Sequence, residues 1–334
     1  MLRILHRNPE TGVSEGYTCA DVPRLLGKAG GLTWIDVFEP NPEHTDIHAQ
    51  LEPLLKDVFK FHPLAIEDVL VETHSPKVDD WDTYLYVVIH AVKWDTKLQD
   101  VDTAELDVFL GANYLITCRT EDIPAVDKSW RLSLRDERHS RRGADFLLYE
   151  IADLIAADYM PCMDAMDEEI DRIEDQVFDR PTNATLGRIF KLKSAVLNLR
   201  RVLSPQREVM NRLARDEHPI IDPKDRVYFR DVYDHLVRLV DLNESLRDLV
   251  TGALDTYLSV TANRTNDVMK TLTIFTVLFS PITAVTGFFG MNFFGESILI
   301  QSPLHPVLLF VTVVVLLSLV PAALLLYIRK RGWW

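Results

Sequence analysis

Cysteine is nearly missing from this chain. The three present in 334 residues, Cys19, Cys118 and Cys162, form no C-x-x-C pair, which excludes a disulfide framework and a thiolate zinc site. Charge is missing from the C-terminal part: from Thr271 to Ile328 the only formally charged side chain is Glu296, and a purely soluble enzyme is thereby excluded. Basic residues are in deficit overall. Thirty-six Lys+Arg against 50 Asp+Glu give a formal net charge of −14, so a phosphate backbone is repelled and nucleic acid is not an expected partner. No G-x-x-x-x-G-K-[ST] occurs, since Leu26-Gly27-Lys28-Ala29-Gly30-Gly31 lacks that spacing, and no enzymatic activity is expected. The N-terminus, MLRILHRNPETG, breaks its apolar stretch at Arg3 and His6 and lacks the long apolar run of a signal peptide, so the bulk of the chain is expected in the cytosol.

What is present first is an α/β region, 1–122. Strand-like runs at Leu2–Leu5, Leu32–Val37, Tyr84–Val92, Leu106–Leu110 and Tyr114–Cys118 alternate with helical stretches over Glu43–Val58, after the cap Asn41-Pro42, and over Pro63–Val71. A sheet flanked by helices follows. From 123 to 222 helical periodicity takes over, with a hairpin of Ala144–Phe178 and Ala184–Leu213 around Asp179-Arg180-Pro181. Acids crowd its first arm and bases its second, a pattern that charge pairing between antiparallel arms explains.

Proline is absent between Pro223 and Pro281, and Gly252 is the only glycine there. One helix from Asp225 through Thr286 is predicted, roughly 90 Å long, of which 223–270 is a stalk. Apolar residues at Val232, Leu236, Leu239, Leu242, Leu246, Leu249, Ala253, Tyr257 and Val260 recur about every 3.5 residues, as in lengthwise helix packing. Two uncharged runs then follow, 271–294 and 304–328, joined by a loop at 295–303, and each is long enough to span a bilayer. Lys270 precedes the first, Arg329, Lys330 and Arg331 follow the second, and the connection has no base. Positive residues stay inside, so both termini, including the basic tail 329–334, are expected in the cytoplasm and the loop outside a cell (inner) membrane.

The first run is interrupted by hydroxyl, glycine and amide residues, the second hardly at all. The first is therefore expected to line a bundle interior and the second to face lipid, with several copies needed to enclose a pore. Asp255, Leu258, Ala262, Asn266, Met269, Leu272, Ser280, Thr283 and Gly287 share one helical face. Oxygen-bearing groups at one mouth, an apolar constriction at Met269 and Leu272, then hydroxyls, read as a hydrated cation path with a dewetting gate.

The first run ends in Gly290-Met291-Asn292. This tripeptide, at that place, resembles the signature of the CorA-type family of magnesium and cobalt transport proteins. Tyr228–His235 and Thr265–Lys270 resemble the family's stalk, and His62–Leu70 with Pro76-Lys77-Val78 its soluble domain, so the likeness covers nearly the whole chain. The resemblance implies a funnel-shaped homopentamer with an α/β/α cytosolic domain, a long stalk-and-pore helix and two C-terminal transmembrane helices. It further implies that Asn292 and the backbone of Gly290 and Met291 meet hydrated Mg²⁺, that Gly287, Thr283, Asn266 and Asp255 line the pore, and that Mg²⁺ is both cargo and regulator. Asp68 and Asp231 match carboxylates that bind regulatory Mg²⁺ between neighbouring domains, with Glu67 and Asp153 near a second site. Internal Mg²⁺ then favours the closed state. Co²⁺, with Ni²⁺ as a further candidate, is also expected as cargo.

Two features depart from the family. Ser280 stands where a methionine constriction is known, which shifts the gate toward Met269 and Leu272, and Phe293-Phe294-Gly295-Glu296 replaces an acidic loop. A zinc transporter of the same architecture is the alternative, for which His44 and His48 have helical ligand spacing but lack a third ligand. A membrane-anchored structural or sensor oligomer is the alternative from another class.

Overall fold

Alternation in the first region is realised as one mixed sheet, and its order is not the order of the chain. The computed structural model describes residues 1–28, 30–40, 51–71, 74–95, 100–290 and 305–330, grouped in two units, Met1–Asp255 and Thr256–Trp334. In the first unit the strands are β1 (Leu2–Asn8), β2 (Gly12–Glu15), β3 (Leu32–Phe38), β4 (Lys77–Asp80), β5 (Leu85–Asp95), β6 (Asp100–Leu110) and β7 (Tyr114–Arg119). They form a seven-stranded sheet in the order β2-β1-β3-β7-β6-β5-β4. Only β3 and β7 are parallel, with Ile35 opposite Ile116.

Both faces of the sheet are covered, as the unbroken burial of β3 and of the first part of β5 requires. One face, with Ile4, Ile35, Tyr86, Phe109 and Ile116, packs on α1 (Val22–Leu26), the π-helical turn Leu54–Val58 and α2 (Pro63–Val71). The other carries α3 (Pro124–Arg135), the short α4 (Glu137–Arg141), α5 (Ala144–Asp179) and α6 (Asn183–Arg215). The result is the α/β/α sandwich. Where β4 has ended, the long helices complete the hydrogen bonding of β5: His90 N donates to Gln206 Oε1 at 2.7 Å and Tyr159 Oη donates to His90 O at 2.8 Å. A buried amide and carbonyl left unpaired would each cost about 1–3 kcal/mol.

The hairpin arms start and stop within two residues of their expected ends. Gly143 introduces α5 at φ 121°, where a Cβ would lie 2.6 Å from Asp145 Oδ1. Across the arms Arg188 Nε donates to Glu169 Oε1 at 2.9 Å, whereas Arg172 pairs with Glu168 and Glu169 on its own arm. The long helix is α7, Arg226–Gly290, and the second apolar run forms α8, His305–Lys330. The buried stripe of α7, at 232, 236, 239, 243, 246, 250, 253 and 257, keeps the predicted 3.5-residue repeat, but two of its positions differ: Leu242 and Leu249 are exposed, and Asn243 and Val250 are buried in their place. Asn243 Nδ2 donates there to Val196 O at 3.3 Å, while its buried Oδ1 has no partner among the described residues.

Of the helix expected over Glu43–Val58, the described part is helical from residue 51. His44, His48, Met291, Asn292 and Glu296 lie outside the described residues. Gly12-Val13-Ser14-Glu15-Gly16 has the G-x-S-x-G spacing of a hydrolase nucleophile elbow, but it builds a hairpin strand instead of a strand-to-helix turn. Ser14 Oγ is bonded to Tyr17 Oη at 2.7 Å.

Candidate ion path and acidic site

Apolar residues on a helix that spans a membrane can face lipid, but amides and carboxylates cannot do so cheaply. On α7 the residues Asp255, Leu258, Ala262, Asn266, Met269, Leu272, Ser280, Thr283 and Gly287 are all exposed. Met269 and Leu272 retain 55% and 58% of their surface. The half-buried stripe of the same helix, Ile274, Leu278, Pro281 and Val285, lies on roughly the opposite side, at the same three- and four-residue spacing. The complementary stripe of α8 runs through the half-buried Val313, Leu317, Val320 and Leu324 to the buried Ile328. From Ile274 to Gly287 a single chain thus covers one side of α7 and leaves uncovered the side of Ser280, Thr283 and Gly287, whereas every residue from Thr261 to Met269 is exposed.

The hydroxyls themselves discriminate less than their number suggests. Thr271, Thr273, Thr276 and Thr286 donate to carbonyls four residues back, at 2.8, 2.7, 2.9 and 2.9 Å, so their polarity is satisfied within the helix. Thr283 does the same to Phe279 O at 3.0 Å, which leaves its oxygen as an acceptor on the uncovered side. The waters around a cation point their hydrogens outward, so an acceptor is the group such a wall needs.

The second cluster belongs to the first unit. Asp153 on α5 and Asp231 and His235 on α7 place one ligand atom each within 4.8 Å of one another, and His235 Nδ1 is 3.8 Å from Asp153 Oδ1. Asp231 and His235 are four apart on one helix, which points them the same way, and only the packing of α5 on α7 adds Asp153. Burial lifts the Asp153 carboxyl above its ordinary value, the like charge of Asp231 adds to this, and His235 opposes it. Tyr149 is raised first by burial and then by the same two carboxylates. An open groove of about 740 Å³ leads from Asp153 and His235 along Met160, Leu239 and Leu242.

The remaining expected ligands lie elsewhere. Asp68 is on α2 and accepts from Lys77 Nζ at 2.6 Å, with His74 Nε2 3.6 Å away. Its neighbour Glu67 is exposed. Within one chain, then, Asp231 has Asp153 beside it, and the charge of Asp68 is compensated by Lys77. His235 was not among the residues singled out from the sequence. Its signal was the four-residue step from Asp231.

Comparison with known proteins sets these features in a family. The "Cobalt/magnesium transport protein CorA" of Thermotoga maritima is 34% identical over 304 residues, covering 90% of this chain and 83% of that protein. The "Putative metal ion transporter YfjQ" of Bacillus subtilis is 30% identical over 90% of this chain and 89% of its own length. Among solved structures, the complete CorA magnesium transporter from Methanocaldococcus jannaschii superposes with a TM-score of 0.78 at 22% identity, over 99% of this chain and 98% of the other, which shows the shared fold. The family described as CorA-like Mg²⁺ transporter protein matches residues 29–331. Because that match runs through the first unit and both apolar helices alike, the chain belongs to the CorA-like Mg²⁺ transporter family and is an integral membrane transporter of divalent metal ions.

Proposed function

We propose that five copies of this chain form a channel for hydrated Mg²⁺ and Co²⁺, with Ni²⁺ as a further candidate, across a cell (inner) membrane, both termini cytoplasmic. The observation that carries this reading is the uncovered side of α7. Asp255 and Asn266 offer oxygen acceptors at the inner mouth, Met269 and Leu272 form the narrow apolar gate, and Thr283, Gly287 and Gly290 lead to the outer mouth at Met291 and Asn292. Mg²⁺ releases its waters reluctantly, so acceptors that bond to those waters suit it better than direct ligands. Ser280, smaller than a methionine, leaves Met269 and Leu272 as the barrier.

Cytosolic Mg²⁺ holds the closed state in this reading. Asp68 and Asp231 of neighbouring copies, with Glu67 and Asp153 nearby, are the carboxylates it bridges. Asp153 and Asp231 fit the ion as oxygen donors, and His235 adds a nitrogen that suits Co²⁺ or Ni²⁺. The test is flux of Mg²⁺, Co²⁺, Ni²⁺ and Zn²⁺ into liposomes holding the purified chain, with and without a pH gradient. Mg²⁺ and Co²⁺ are expected to enter, and Ser280→Met to restrict them. Absence of any flux would favour a structural or sensor oligomer, and flux of Zn²⁺ alone the zinc alternative.

A further inference from the structure

At the basic end of the two spans the second unit holds a cavity of about 630 Å³ between α7 and α8, within the roughly 300–1,000 Å³ range of ligand pockets. Its wall is apolar on both helices: Ile274, Phe275 and Leu278 from α7, Leu325 from α8. Its rim is charged. Lys270 lines it one turn before Ile274, and Arg329 stands one turn beyond Leu325 on the same face of α8. Lys330 adjoins Arg329, and none of the three cations makes an ion pair among the described residues. Asp267 is the one carboxylate on the rim.

An apolar slot with Lys270 and one carboxylate, Asp267, on its rim, and with Arg329 one turn beyond its α8 wall, complements a molecule with a hydrocarbon tail and an anionic head. We propose that the cavity binds one anionic phospholipid, its phosphate held by Lys270 and Arg329 and an acyl chain laid between Ile274, Leu278 and Leu325. The site lies beside the gate residues Met269 and Leu272 but on a different face of α7, so the lipid contacts the covered side of the helix and not the ion path. Anionic lipids are attracted to bases at the cytoplasmic surface, each Lys or Arg strengthening binding about fivefold. A cavity with bound acyl chain adds positional specificity to that general attraction.

Lipid retention tests this. The full-length chain in non-ionic detergent is mixed with equal amounts of dioleoyl-phosphatidylglycerol and dioleoyl-phosphatidylcholine, passed over a size-exclusion column, and assayed by mass spectrometry for lipid per chain. The wild type is expected to keep phosphatidylglycerol about tenfold over phosphatidylcholine. Lys270→Gln and Arg329→Gln should each lower that retention about fivefold, and Leu278→Trp, which fills the slot, should lower it with every cation in place. Should Lys270→Gln fail to assemble, Arg329→Gln and Leu278→Trp decide the matter. Equal retention of the two lipids, or unchanged retention in Leu278→Trp, overturns the proposal. So does efficient disulfide formation between chains in Phe275→Cys, which would place a second copy's helix in the slot.

Discussion

Asp231→Lys is the perturbation most directly set by the geometry. Two carboxylates whose oxygens lie within 4.8 Å repel by about 1 kcal/mol in water and about 3.5 kcal/mol at an effective dielectric of 20. Asp231 is exposed and Asp153 is half-buried, so the lower part of that range, about 1–2 kcal/mol, applies. A bound divalent cation removes the repulsion, and at a hundredfold excess over its dissociation constant it adds about 2.7 kcal/mol by linkage. The lysine substitution removes the repulsion permanently and offers Asp153 an ion pair worth at most about 1 kcal/mol at such exposure. Without Mg²⁺ the variant should therefore melt about 2–12 °C above wild type, at about 2–4 °C per kcal/mol for a unit of this size. The wild type should gain thermal stability and protease resistance from chelator to saturating Mg²⁺, and the variant should gain little. The assay is thermal unfolding and limited proteolysis of the purified chain across a Mg²⁺ titration. Identical titrations for wild type, Asp231→Lys and Asp68→Ala would refute the reasoning and leave these carboxylates as ordinary surface charge.

Asn292→Ala should abolish or severely reduce Mg²⁺ uptake into liposomes while the oligomer still assembles, since the amide is assigned to the ion's water shell; wild-type flux would remove it from that role. Replacing Met269 or Leu272 by serine should wet the constriction and raise leak at high internal Mg²⁺, and unchanged closed-state conductance in both would put the barrier elsewhere. Asp107 is buried, and burial holds its carboxyl well above the ordinary aspartate value of about 3.9, with Tyr86 Oη donating to it at 2.6 Å. The folded chain thus keeps a proton that the unfolded chain releases, so stability falls as pH rises above that value. Asp107→Asn should flatten this slope and raise stability at neutral pH, read as denaturation midpoints from acid to neutral pH. Gln206→Leu should cost about 1–3 kcal/mol by stranding the buried His90 amide, and hydrogen exchange at β5 should rise accordingly.

Long periodic elements were legible because their signals are local. The break at Asp179-Arg180-Pro181 and the span without proline set the ends of α5, α6 and α7 within a few residues. Charge exclusion marked both apolar helices. Polar edge strands were not legible: β2 (Gly-Val-Ser-Glu) and β4 (Lys-Val-Asp-Asp) have almost no apolar alternation and are strands only because β1 and β5 offer them partners. The first half of β6, with Asp100, Asp102 and Glu105, has as weak a strand signal and is held in register by β5.

The sequence by itself determined that Asp255, Asn266, Met269, Leu272, Thr283 and Gly287 share one face of α7, because residues on one helix keep their mutual phase whatever surrounds them. It also determined where a bilayer is crossed, since an uncharged run of that length has no cheaper solvent. Only the tertiary structure decided that β3 lies beside β7, that Asn243 and Val250 and not Leu242 and Leu249 face the core, and that Asp153 joins Asp231 and His235. Each of these joins residues distant in the chain or depends on which side of a helix a neighbour covers. Such contacts are set by packing, which no local pattern encodes.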